Sequence, residues 1–203
     1  YLTYRHPRYD LLAHIDTEPL FQARSDVAGG VMTLMLYAGG EGTYTPLHTD
    51  VGGTRGHNLM VEAQGQGAAI WLAVPTPQLP ALAAYVQEET GVLLETDSVL
   101  LPISTLLTQT AFDVLVVVQR PGDLVLVPPR AAHQVCNVLG PSLKVAWNTL
   151  PVSALHSALS SLPTSRLIAK PAICRLKAAA YTALQDRIVA LEEAKQAQDS
   201  EWV

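Results

Sequence analysis

The residues best suited to chemistry in this sequence are His48, Asp50 and His133. In an extended strand, residues i and i+2 point to the same side. His48 and Asp50, in Thr45-Pro-Leu-His-Thr-Asp50, can therefore reach one metal ion from a single strand or strand end. His133 lies beside another strand, shortly after Pro128-Pro129, and can supply a third ligand. Two imidazoles and one carboxylate occupy one face of an octahedral ion and leave the opposite face open. Such a facial triad suits non-haem Fe(II), whose open positions accept a cosubstrate and dioxygen. A His-x-Asp alone is common by chance, so the assignment depends on its surroundings. His6 and His14 fall in a polar N-terminal stretch and His156 in a surface helix, and none of the three is expected to act. His57 is close to the triad in sequence and faces either a cavity or solvent.

Strands must position these side chains, and the sequence has many short ones. Val31 to Tyr37, His57 to Glu62, Ala68 to Val74, Phe112 to Val118 and Leu124 to Val127 read as short strands among Gly and Pro turns. His133 to Val138 and Leu143 to Asn148 are expected to pair across Gly140-Pro141. This texture favours a sandwich or barrel over a parallel βαβ sheet. Between residues 76 and 110 the pattern turns helical, over Pro80 to Glu89 and Ile103 to Thr110. After Pro151, Val152 to Leu162 reads as a short helix and Pro171 to about Gln198 as a long one. In the long helix Ile173, Leu176, Ala180, Leu184, Ile188 and Leu191 form one apolar stripe. The first half should pack, and the polar end from Glu192 should project into solvent. The expected division is therefore 1–150 for a β-core with a helical insertion, and 151–203 for helices packed on it, with dimerisation the lesser use of the stripe.

Composition fits one well-buried domain. Of 203 residues, 49% are apolar and only 15% charged. No apolar run is long enough to span a bilayer, and the start at Tyr1 has no signal-peptide h-region. Without an initiator Met, the chain is expected to be part of something longer. Cys136 and Cys174 give neither a disulfide framework nor a zinc spacing, which points to a reducing intracellular compartment. A net charge of −5 argues against a dedicated nucleic-acid surface and is compatible with a basic peptide partner.

Two segments carry a resemblance. Thr45-Pro-Leu-His-Thr-Asp-Val-Gly-Gly-Thr54 and Arg120-Pro-Gly-Asp-Leu-Val-Leu-Val-Pro-Pro-Arg-Ala-Ala-His-Gln-Val-Cys-Asn137 resemble the signature segments of JmjC-domain oxygenases, in the right order. The resemblance, over roughly Val31 to Leu150, implies a mainly β, cupin-like jelly-roll (a double-stranded β-helix). It implies Fe(II) on His48, Asp50 and His133, with 2-oxoglutarate and dioxygen as cosubstrates. Thr45 and Asn58 match positions that several of these enzymes use for 2-oxoglutarate; the alternatives are a plain strand Thr and a turn Asn. The family often adds a Lys on the strand ending at Pro75, but Ala68-Ala-Ile-Trp-Leu-Ala-Val74 has none. Lys144, on an otherwise apolar strand, is the first substitute and Arg55 the second; a solvent-facing Lys144 is the competing reading.

Pro128 to Val145 looks like the branch that demethylates the ninth-position lysine of the histone H3 tail. The resemblance thus implies a nuclear chromatin regulator acting on a methylated histone tail or another protein. A protein hydroxylase, or a catalytically silent chromatin-binding scaffold, stays open on sequence alone.

Overall fold

Among the described residues, antiparallel pairing of eight short strands builds a two-sheet body. The computed structural model describes residues 34–150, 152–160, 162–168 and 176–200. His6, His14, Ile173 and Cys174 lie outside these residues. The strands are β1 (Met35–Gly39), β2 (Tyr44–His48), β3 (Arg55–Ala63), β4 (Ala68–Val74), β5 (Leu115–Gln119), β6 (Leu124–Val127), β7 (Ala132–Val138) and β8 (Ser142–Thr149). They form two four-stranded sheets, in the orders β1-β8-β3-β6 and β2-β7-β4-β5. Successive strands thus alternate between the two sheets, except that β4 and β5 pair within one, which is the jelly-roll expected.

One expectation fails. β7 and β8 do not pair with each other, because they belong to opposite sheets. β7 pairs with β2 and β4, and β8 with β1 and β3. The connection turns through Leu139 at φ 60° and Gly140 at φ 139°, and carries the chain across the sandwich. A Cβ on Gly140 would meet the Gln64 carbonyl at 2.5 Å, so glycine is required at this crossing.

β4 is apolar without alternation because it is buried on both faces. Ala69 and Trp71 look inward with Met60, Val127 and Val135. Leu72 and Val74 look outward and are covered by the insertion. The insertion contains α1 (Leu79–Thr90) and α2 (Ile103–Thr108). Leu82 and Val86 of α1 and Leu106 of α2 are buried on this outer face. α1 stops at Gly91, left-handed at φ 70°. α2 ends before the expected Thr110 because the Gln109 side-chain oxygen takes the backbone N–H groups of Ala111 and Phe112, at 2.7 and 3.1 Å. Gln134, buried on β7, ties the insertion to the sheet: it donates to the Leu101 carbonyl at 2.8 Å and accepts the Leu101 N–H at 3.2 Å.

Among the described residues, three helices follow: α3 (Val152–Ser160), α4 (Leu162–Leu167) and α5 (Leu176–Ser200). α3 packs beside the Val51–Gly53 turn, with Ala154 and Ala158 buried. The stripe on α5 is covered less than the sequence suggests. Ala180 is buried, whereas Leu184, Ile188 and Leu191 are 54%, 54% and 59% exposed. Helical periodicity records which residues share a face, not whether anything covers it.

Replacing Gln134 by Ala strands two buried backbone groups of Leu101. At about 1–3 kcal/mol for each group, the expected loss is roughly 2–6 kcal/mol. Urea unfolding checks this as a lowered midpoint with an unchanged slope.

Candidate metal centre

The metal site is made by one imperfect strand pairing. Thr45 lies opposite Val135 and His48 opposite His133, but the register shifts between Thr45 and His48. Three residues apart on a regular strand, Thr45 and His48 would face opposite ways. The irregularity lets both line the same cavity, while Leu47 between them is buried in the outer core. The rings of His48 and His133 are 4.2 Å apart, centre to centre, and tilted by 54°.

Each imidazole is oriented by its own backbone. His48 Nδ1 lies 2.8 Å from the Pro46 carbonyl and His133 Nδ1 lies 3.1 Å from the Ala131 carbonyl. A carbonyl only accepts, so both Nδ1 atoms carry the proton and both Nε2 lone pairs are free to ligate. Burial, with the charge of His48 beside it, lowers the His133 pKa to about 3. His133 therefore stays neutral, as a metal ligand must. Trp71 stacks on its ring at 5.5 Å.

Asp50 follows β2 and starts the Val51–Gly53 turn, in which the Gly53 N–H returns to the Asp50 carbonyl at 3.0 Å. Its Oδ2 is buried and has no hydrogen-bond partner. A buried unpartnered carboxylate oxygen beside two free imidazole lone pairs fits a cation. Donor atoms of His48, Asp50 and His133 lie within 4.8 Å of one another, and the donor set suits an octahedral divalent metal such as Fe(II). Burial raises the Asp50 pKa, against the opposing pull of His48, Asn148 and His57. The backbone of β3 passes so close that a Cβ at Gly56 would meet Asp50 Oδ2 at 2.2 Å. Gly56 is required for that approach, not for its φ.

A cavity of about 250 Å³ opens beside the triad. Thr45, Asn58 and Lys144 all line it, together with Tyr37, Asn137, Asn148 and Trp71. Lys144 is 6% exposed, and its ammonium donates to Asn137 Oδ1. Burial lowers its pKa. Among the described residues, no carboxylate is hydrogen-bonded to it. Arg55 is exposed at the start of β3 and is not part of the lining. His57 touches the cavity, but its ring is stacked on Trp147 at 5.0 Å. His156 is exposed on α3.

Sequence reasoning missed Asn137, Tyr37 and Asn148. Asn137 receives Lys144 and the Ser142 hydroxyl (3.1 Å) on its oxygen, and its amide donates to Thr43 Oγ1 at 2.8 Å. Its spacing of four from His133 on one strand was a usable signal. Tyr37 comes opposite Lys144 only through the β1–β8 pairing, which no local pattern reveals. Asn148 donates to the buried Thr54 hydroxyl at 2.9 Å and so braces the turn behind Asp50.

Comparison with known proteins agrees with this geometry. Residues 35–149 match the family described as "JmjC domain, hydroxylase". The "C-module-binding factor A" of Dictyostelium discoideum is 40% identical over 156 residues, which is 75% of this chain but 15% of that protein. The chain belongs to the JmjC family. That family in general depends on Fe(II) and 2-oxoglutarate, and the domain is of the dioxygenase type.

Gly56→Ala is expected to displace the Asp50 carboxylate and weaken divalent-metal binding by about 10–100-fold, the range for losing a ligand's support. Calorimetric titration with Mn(II) measures this, and the circular dichroism of the β-core should be retained.

The buried acid Asp50 and the buried base His133 act in opposite senses on the metal-free protein. His133, lowered to about 3, refuses a proton that the unfolded chain accepts below its ordinary 6.5, so stability falls on acidification through that interval. Asp50 is raised, so its charged form weakens the metal-free fold above that raised pKa. Asp50→Asn should therefore raise the thermal midpoint in chelator at pH 7, while Mn(II) no longer shifts it.

Proposed function

We propose that this domain is an Fe(II)- and 2-oxoglutarate-dependent oxygenase that removes methyl groups from lysine in histone tails, with the ninth-position lysine of histone H3 favoured. The observation that carries the cosubstrate reading is the buried Lys144 ammonium, which shares a cavity with the triad and has only a neutral amide beside it. An ammonium in that position is complementary to the distal carboxylate of a dicarboxylate. Thr45 and Asn58 line the same cavity and supply further polar contacts. The similarity of Pro128 to Val145 to demethylases of the H3 tail supports the substrate, and a nuclear location follows from it. Among the described residues, no helix is long and apolar enough to cross a membrane.

In this reading His48, Asp50 and His133 hold the metal, and the backbone carbonyls of Pro46 and Ala131 keep both imidazoles in the ligating tautomer. Lys144 neutralises one end of the cosubstrate and orients the other toward the triad. The inner apolar wall of Trp71, Val127 and Val135 limits water at the centre. Bound Fe(II) supplies, with 2-oxoglutarate and dioxygen, the power to oxidise a substrate C–H bond. Hydroxylation of an N-methyl group yields a hemiaminal that splits into formaldehyde and amine; hydroxylation of a carbon yields a stable alcohol. The hydroxylase reading is the alternative, favoured by the family's own description.

The test incubates the domain with Fe(II), 2-oxoglutarate and methylated H3-tail peptides, followed by mass spectrometry and succinate detection. Loss of a methylene's mass per methyl is expected; gain of one oxygen would replace demethylation by hydroxylation. His48→Ala should abolish succinate formation with the fold intact, and undiminished turnover would remove the iron assignment. Lys144→Ala should raise the 2-oxoglutarate requirement at least about 30-fold, equivalent to the roughly 2 kcal/mol lower bound for breaking a buried charge pair. An unchanged requirement would transfer the anchor to another residue.

A further inference from the structure

Gln119 is the last residue of β5, fully buried, and outside both the metal triad and the cavity lining. Its side chain bridges the two sheets. The Trp71 indole N–H donates to Gln119 Oε1 at 2.9 Å. Indole nitrogen is a donor only, so the oxygen of the Gln119 amide must face it. On the other side Gln119 Nε2 donates to the backbone carbonyls of Asn58 (2.8 Å) and Asp123 (3.2 Å). Carbonyls only accept, so this contact fixes the same orientation a second time. An amide that could otherwise be turned end for end is thus determined from both ends.

The consequence falls on Asn58. Gln119 Nε2 also approaches Asn58 Oδ1, at 3.2 Å. An Asn58 NH₂ in that place would set donor against donor, so the Asn58 oxygen faces Gln119. Its NH₂ is left without a hydrogen bond to any described residue, on a side chain that lines the metal cavity. β3 places Asn58 on the inner face with Gly56 and Met60, opposite Ala146 of β8.

We propose that Gln119 is a positioning residue: by way of Trp71, Gln119 and Asn58, the fold presents an NH₂ donor to the cavity, so that this wall selects an acceptor oxygen of the bound cosubstrate. Asn58 is the contacting group and Gln119 acts through it. The same relay begins at the indole that stacks on His133, so one buried chain links a metal ligand to the cosubstrate wall. The proposal rests on the cavity being the 2-oxoglutarate site.

A double-mutant cycle tests it, read as 2-oxoglutarate affinity by calorimetry on Zn(II)-loaded protein, in which no redox chemistry occurs. Asn58→Ala and Gln119→Leu should each weaken binding about tenfold or more, the worth of one hydrogen bond to a charged group. The double variant should bind no worse than Asn58→Ala alone. Wild-type affinity in Gln119→Leu, or a further loss from it in the Asn58→Ala background, overturns the proposal. Should Gln119→Leu not fold, nuclear magnetic resonance on the unmutated protein decides. The Asn58 side-chain NH₂ signal, assigned by its absence in Asn58→Ala, must shift when 2-oxoglutarate is added, and an unmoved signal overturns the proposal. Binding lost in Lys144→Ala but indifferent to Asn58 and Gln119 removes this inference alone. Wild-type protein that takes Zn(II) and no 2-oxoglutarate overturns the proposed function, and the relay's role with it.

Discussion

The centre depends on the ladder between β2 and β7, where two histidines face each other across a sheet after a shift of register. A regular ladder would have sent either Thr45 or His48 into the outer core. The shift keeps Leu47 outward, sealed by the isolated bridge to Val99, while Thr45 and His48 turn inward. The insertion is fastened to the same two strands, through Leu47 and Gln134. Its helices therefore stabilise the metal strands from behind, although none of their residues lines the cavity.

The interior of this barrel holds charge that an apolar core would not tolerate. Asp50 and Lys144 are both pushed by burial toward their neutral forms, one upward and the other downward. Neither is relieved by the other, and the side chains hydrogen-bonded to them are neutral amides: Asn148 at Asp50, Asn137 on Lys144. Such an arrangement weakens the empty fold, and binding of oppositely charged ligands reverses that cost. Amides suit the purpose because they hold a charged group in position without neutralising it. A carboxylate in place of Asn137 would satisfy Lys144 internally and leave nothing for a ligand.

Much of this was legible from residue order. The boundaries of β4 and β6 coincide with apolar runs closed by Pro75 and Pro128, because a proline ends both the ladder and the run. The triad was legible because its neighbours, as well as its spacing, carried information. What stayed hidden depends on pairing. The turn at Gly140 reads locally as a hairpin, yet the left-handed residues there send the chain across the sandwich. Tyr37 and Asn148 matter through strands far apart in sequence. Gln119 reads as the polar end of an apolar strand, and only the closed barrel brings Trp71 and Asn58 to its two ends.

Charge balance favours a dianion in the cavity. A divalent ion bound to Asp50 and two neutral imidazoles retains one positive charge, since one carboxylate offsets only half of it. The Lys144 ammonium adds a second at another point of the same wall. A small dicarboxylate spanning the two brings two negative charges and closes the sum to zero, whereas a monocarboxylate would leave one buried charge without a counter-ion. The donors of Asn58 and Thr45 then address the remaining oxygens. On the proposed function, such a cavity would discriminate by the number of charges first and by hydrogen-bond direction second, the second being the part proposed for the Trp71–Gln119–Asn58 relay.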